Sequence, residues 1–219
     1  MDRKKAKQNT PSIKEKVYFH IRNKIIKSDI LGGEFIEEEE VTDELGVSRT
    51  PVREAFSRLE AERFIDLIPR KGARVRQITG QEIIDIYETR RLIEIHAAKR
   101  ICKEKIDVPL AMYTYHEAMI VDTHDIDFYE HIINDSGFHG AMVDAIGNPV
   151  ISDVYKSIQE RKMRVAYTAL SIRPDRLSVV TEQHQKIIAA LANHDTDEVA
   201  ALLERHLLPV EGVISRLPK

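Results

Sequence analysis

Apolar residues recur at helical spacing along most of this chain, and the places where they stop divide it into elements. Ile13, Val17, Ile21 and Ile25 repeat every four residues and predict a first helix. Gly32-Gly33 interrupts the pattern. Val41 and Leu45 belong to a second helix, and Val52, Phe56 and Leu59 form the inward face of a third. Residues 65–68 and 73–75 are short apolar runs around the turn Pro69-Arg-Lys-Gly72, which predicts a small hairpin. After residue 78 no alternation of period two remains. Breaks near Asp107-Val-Pro109, Asp122 to Asp125, Gly147-Asn-Pro149, Ile172-Arg-Pro174 and Asn193 to Thr196 cut the remainder into about six helices. Asp195 and Glu198 make a capping-box-like pair at the start of the last one.

The expected fold is mainly α. An N-terminal winged helix-turn-helix over residues 11–78 is followed, beyond a hinge at 77–80, by an antiparallel all-helical bundle over residues 81–219. Met1 to Thr10 is polar and lysine-rich and reads as a disordered tail. At 219 residues the chain is long enough for two modest cores. Its formal charge of −3 argues at first against a nucleic-acid partner, but the distribution reverses that. Residues 1–78 carry 17 Lys and Arg against 14 Asp and Glu, and the rest carries 16 against 22. Only the front part is suited to face phosphate. Cys102 is the only cysteine, so neither an internal disulfide nor a cysteine zinc cluster is available. The sequence offers no signal peptide and no membrane-spanning apolar run, and a cytoplasmic location is the expectation.

In the front domain, Gly46 suits the left-handed turn between two packed helices, and Ser48 or Thr50 can cap the helix that follows. Arg49, Thr50 and Arg53 then stand at the exposed N-terminal end of that third helix, the part of a recognition helix that reaches bases and phosphates. Arginine suits guanine because its planar fork donates two parallel hydrogen bonds. Singly, each arginine reads equally well as a solvated helix charge. Beside the turn, the cap and a wing tip bearing two cations and Gly72, the group reads as a double-stranded DNA contact. Val47-Ser-Arg-Thr-Pro-Val-Arg-Glu-Ala-Phe56 and Pro69-Arg-Lys-Gly-Ala73 resemble the GntR family of bacterial regulators, nearly continuously and in register. The resemblance implies that Arg49, Thr50 and Arg53 are helix contacts to DNA, and that Lys71 and Gly72 are wing contacts. The chain departs from the family at Glu39, where a basic residue is usual, because a carboxylate repels phosphate.

In the back domain, polar residues sit on apolar stripes. Asp135 and His139 share a helix face with Phe128, Ile132, Met142 and Ile146. His184 lies on the stripe of Leu177, Val180, Ile187 and Leu191, and His206 on that of Val199, Leu202, Val210 and Val213. Each histidine alone reads as a hydrogen-bonded core residue, and for His131 that reading is kept. As a set, Asp135, His139, His184 and His206 read as ligands of one divalent metal ion. Zinc or nickel comes first, and iron, cobalt and manganese are alternatives. Arg90, four residues before Glu94, is either half of an ion pair or a clamp for a ligand carboxylate.

Arg90-Arg-Leu-Ile-Glu94, Asp135-Ser-Gly-Phe-His139, Asn148-Pro149, Glu182-Gln-His184 and His206-Leu207 resemble the FCD effector domain of the FadR branch. Six helices rather than seven resemble its VanR-type subgroup. The resemblance implies an Asp and three His as metal ligands, matching the same four residues, a small organic acid as effector beside the metal, and a homodimer. Gln183 between Glu182 and His184 displaces the family's acidic residue by one position. The leading reading is a metabolite-responsive regulator, most often a repressor, that binds a palindromic DNA operator as a dimer, and not an enzyme or a membrane protein. The alternatives are a metal-dependent enzyme, against which no separate general base lies on the same stripes, and an architectural DNA binder with an inert bundle.

Overall fold

The computed structural model describes residues 11–120, 127–209 and 211–214. The expected tail before residue 11, the break at 122–125 and Val210 lie outside them. The chain divides between Arg76 and Gln77 into two compact units, with residues 26–28 counting toward the second.

The first unit runs α1 (Ile13–Ile26), β1 (Phe35–Ile36), α2 (Glu38–Leu45), α3 (Arg49–Ala61), β2 (Ile65–Ile68) and β3 (Gly72–Val75). Val17, Ile21 and Ile25 are buried as the four-residue spacing requires, together with Tyr18, whereas Ile13 at the helix start is 61% exposed. Gly46 ends α2 in the left-handed region at φ 62°, and its N–H bonds back to the Thr42 carbonyl. Ser48, not Thr50, precedes α3 in extended geometry, but its side chain makes no capping hydrogen bond. Val52, Phe56 and Leu59 are almost fully buried, which turns the opposite face of α3 to solvent.

The predicted two-stranded hairpin is a three-stranded antiparallel sheet in the order β1-β3-β2, with Phe35 opposite Arg74 and Ile36 opposite Ala73. Two residues are too few for β1 to show a period in the sequence. This third strand explains Gly72. At φ 85° a β-carbon there would lie 2.4 Å from the Ile36 carbonyl oxygen. The glycine is therefore required by the wing's own packing, whatever else approaches it.

The second unit runs α4 (Gly80–Glu104), α5 (Leu110–Met119), α6 (Phe128–Asp144), α7 (Pro149–Ile172), α8 (Arg176–Ala192), α9 (Thr196–His206) and the short α10 (Glu211–Ile214). Several helices start on side-chain caps that satisfy otherwise orphaned N–H groups. Thr79 accepts from Glu82, Asp127 from Tyr129, Asn148 from Val150 and Ile151, and Asp195 from Glu198. Pro149 follows its cap where a missing N–H costs nothing. α4 packs against α6, α7, α8 and α9, so its inward side chains reach the centre of the bundle. Ile83, Ile101, Phe138, Met142, Tyr155, Ile187, Leu191, Val199 and Leu203 form that core. No helix among the described residues is long and apolar enough to cross a membrane.

Gly72→Ala is expected to destabilise the winged unit by about 1–3 kcal/mol, since both the positive φ and the contact with Ile36 oppose a β-carbon. Chemical denaturation of the variant beside wild type measures this, and unchanged stability would contradict the close β1–β3 approach.

Candidate metal centre and DNA-reading face

On the first unit, Arg49, Thr50 and Arg53 are exposed on α3. Arg49 and Arg53 border one open concave surface with the wing residues Arg70, Lys71 and Gly72. The structure thus gathers four of the five sequence-predicted contacts onto one face, and Thr50 stands beside it on the same helix turn. Glu37, Glu38 and Glu39 border the same surface. Glu38 was not singled out from the sequence, yet its carboxylate oxygens accept from Arg53 Nε at 3.0 and 2.9 Å. This pairing sets the direction of the guanidinium and leaves its outer N–H groups available. Glu39 lies in the N-terminal turn of α2, so the departure from the usual basic residue borders the same surface as Arg49, Arg53 and Lys71.

On the second unit, Asp135 and His139 from α6, His184 from α8 and His206 from α9 converge. One ligand atom from each lies within 4.8 Å of all the others. The three Nε2 atoms form a tight triangle: His139 to His206 is 3.0 Å, and His184 lies 3.2 Å from each. Asp135 Oδ1 is 3.4 Å from His184 Nε2 and 3.8 Å from His139 Nε2. Phe138 stacks on the His184 ring at a centroid distance of 4.1 Å and holds its plane. Burial, reinforced by the neighbouring imidazoles, pushes His184 well below its ordinary pKa, and takes His206 down to about 3. Both rings are therefore neutral at physiological pH, the form that ligates a metal.

A second layer orients these rings. Glu94 Oε2 lies 2.7 Å from His139 Nδ1, and Gln183 Oε1 lies 2.8 Å from His206 Nδ1. The displacement seen in the sequence is thus answered by geometry: Gln183 faces the cluster, and Glu182 is exposed and pairs with Lys186 at 2.6 Å. Glu94 is fully buried and also accepts from Arg90 Nε at 2.7 Å and from Tyr155 Oη at 2.6 Å. Burial opposes its charge, but Arg90 and His139 outweigh that and hold the carboxyl well below its usual range. Gln159 extends the network by donating to Tyr155 Oη at 3.0 Å.

Arg90 is therefore the ion pair of one sequence reading, and it also lines a cavity beside the cluster as the other reading required. Its Nη2 is buried and meets no acceptor among the described residues. The cavity is also bordered by Tyr87, His131, Asp135, Lys162, Arg176 and His206. His131 stays outside the converging set and is pushed below its ordinary pKa by burial. Lys162 and Arg176 were missed from the sequence. Lys162 follows Tyr155 by seven residues on α7, one face of two turns, which was the available signal. Its Nζ directly contacts Asp135 Oδ2. Asp135 remains charged because Lys162 and the nearby imidazoles outweigh the burial that opposes its charge.

Two domain families match the chain. Residues 13–75 match the bacterial regulatory proteins of the gntR family, and residues 85–208 match the FCD domain. The chain belongs to the GntR family. Among relatives of this regulator, the Nta operon transcriptional regulator of Aminobacter aminovorans is 32% identical over 80% of this chain and 81% of its own length. The gluconate operon transcriptional repressor of Bacillus subtilis is 30% identical over 82% of this chain and 72% of its own. Among solved structures, Escherichia coli McbR/YncC superposes with a TM-score of 0.74 at 19% identity, covering 90% of this chain and 94% of that one, a likeness of fold. The GntR protein described here is a transcriptional regulator with a DNA-binding head and an FCD bundle, which sets the enzyme reading aside.

Glu94→Gln removes the charge that balances buried Arg90. The expected cost is about 3–5 kcal/mol of bundle stability by chemical denaturation. A loss under about 1 kcal/mol would show that Arg90 finds compensation elsewhere.

Proposed function

We propose that this regulator is a metabolite-responsive repressor. A head over residues 11–78 binds a palindromic operator as part of a homodimer, and a bundle over 81–219 holds a divalent metal with a small carboxylic acid beside it. Arg49, Thr50, Arg53, Lys71 and Gly72 are the proposed DNA contacts. Asp135, His139, His184 and His206 are the proposed metal ligands, and Arg90 the proposed clamp for the acid. The proposed location is cytoplasmic, where the operator is.

The observation that carries the bundle's part is the hydrogen-bonding arithmetic of the imidazoles. His206 Nδ1 donates to Gln183 Oε1 at 2.8 Å, and His139 Nδ1 lies 2.7 Å from the Glu94 carboxylate, close but without hydrogen-bond alignment, so both surroundings favour the proton on Nδ1 and a lone pair on Nε2. Those two lone pairs then face one another at 3.0 Å. Two acceptors at that separation in a buried site repel unless a cation lies between them. Three imidazoles and a carboxylate suit zinc or nickel. Held there, the ion would supply a fixed positive charge able to bind a carboxylate oxygen. Arg90 Nη2, buried and without an acceptor, is the second attraction for that carboxylate.

The head's part rests on the shared surface of Arg49, Arg53 and Lys71 and on the family to which the chain belongs. A carboxylate bound in the bundle shifts the protein between forms that fit the operator differently, by as much as it prefers one form over the other.

Two experiments test the two halves. Arg53→Ala should weaken binding to the DNA upstream of the protein's own gene by about tenfold or more at moderate salt, with the thermal unfolding of the bundle unchanged. Unaltered affinity would remove Arg53 from the contacts. The His184→Ala, His206→Ala double variant should lose metal measured by elemental mass spectrometry after dialysis against zinc or nickel, while wild type retains close to one ion per chain. A wild type that retains none would mean that the four side chains satisfy one another or bind a ligand directly.

A further inference from the structure

With a divalent ion at the four ligands, the cavity beside the histidine cluster would hold more positive charge than a monocarboxylate can balance. Arg90 from α4, Lys162 from α7 and Arg176 from α8 line it, and Asp135 is the carboxylate among its lining residues. Glu94 balances Arg90 from behind. Lys162 is 3% exposed, and Asp135 is its counter-ion. Arg176 is half-buried, and its side chain makes no hydrogen bond or ion pair among the described residues. The adjacent Asp175 carboxylate is already taken by Arg173 at 2.8 and 2.7 Å.

Metal binding at the four ligands changes this balance. Asp135 turns Oδ1 to the histidines and Oδ2 to Lys162, so an ion held at Oδ1 would draw on the charge that Lys162 shares and would add charge of its own. A buried ammonium with a weakened counter-ion is costly, and a second anion in the space that Lys162 lines would keep it charged. Arg176 borders the same space from the facing helix. The walls between the cations are apolar and small, with Ala166, Ala169 and Leu170 on α7 and Val180 on α8. Cations set around a small apolar wall suit a short dicarboxylic acid.

We propose that Lys162 and Arg176 form a second anion subsite, and that the effector is a short dicarboxylate. One carboxylate lies at the metal and Arg90 Nη2, and the other lies between Lys162 and Arg176. A metal at Asp135 Oδ1 would weaken that carboxylate as the counter-ion of Lys162 and so favour an anion at the second subsite. The inference rests on the reading of the cavity as an effector site for carboxylic acids.

The test uses the full-length, zinc-loaded protein and acid pairs of equal carbon number: malonate with propionate, and succinate with butyrate. Calorimetric titration and thermal shift are both read. At least one dicarboxylate should bind about tenfold or more tightly than its monocarboxylate partner. Arg176→Met, at the half-buried rim where folding tolerates the change, should bring the dicarboxylate down to the monocarboxylate's affinity and leave the monocarboxylate unaffected. Lys162→Met should do the same, with its unfolding curve showing that the bundle remains intact. In zinc-free protein the preference should shrink, because the ion's charge is then missing from the cavity and Asp135 balances Lys162 in full. Equal affinity within each pair, or an Arg176→Met variant that weakens both acids alike, overturns the second subsite and leaves the carboxylate site standing. Absence of binding by all four acids to the loaded protein overturns both.

Discussion

A fully buried carboxylate organises the back domain. Glu94 sits in the middle of α4, the helix that packs against four others, and no water reaches it. An ionised group in such a place persists only if the protein surrounds it with donors and opposite charge. Arg90 supplies them from its own helix, Tyr155 from α7 and His139 from α6. Satisfying one carboxylate therefore sets the position of α6 and α7 against α4. It also turns His139 so that Nε2, rather than Nδ1, points toward His184 and His206. The cluster's geometry follows from that turn.

Carboxylates act on cations in the same way elsewhere, with different consequences. Asp135 balances Lys162 through Oδ2 and turns Oδ1 to the histidines, so one carboxylate serves both the lysine and the candidate metal site. In the head, Glu38 orients Arg53 at the surface, where water screens the pair and the guanidinium can still exchange partners. Burial separates these cases. The Arg90–Glu94 pair is sealed in the core, the Lys162–Asp135 pair borders a cavity, and the Arg53–Glu38 pair lies at the surface. Gly72 shows a related double constraint. It stands at the wing tip among the proposed DNA contacts, but the close passage of β1 already excludes a side chain there.

Much of the fold was legible because each long helix buries one stripe, and a stripe of period 3.6 survives in the sequence without knowledge of what covers it. The ends were legible where capping chemistry is local, as at Asn148-Pro149 and Asp195 with Glu198. The missed strand β1 lacked both kinds of signal, being two residues long and stabilised by pairing with β3, nearly forty residues later. Ile13 opens α1 as its spacing predicts but is exposed, because the first turn of a helix can continue the apolar spacing past the point where the core ends.

The sequence by itself determined which residue types had to be accounted for: one Asp and three His on apolar stripes, and cations at the start of a recognition helix and at a wing tip. Local spacing is enough to place each of them on a face, because a helix repeats regularly. Only the tertiary structure decided what those faces meet. That Glu94 reaches His139 and Tyr155, that Gln183 on α8 holds His206 on α9, and that Lys162 and Arg176 border one cavity are all contacts between helices. Such contacts depend on how the helices lie against one another, which the periodicity of any single helix leaves open.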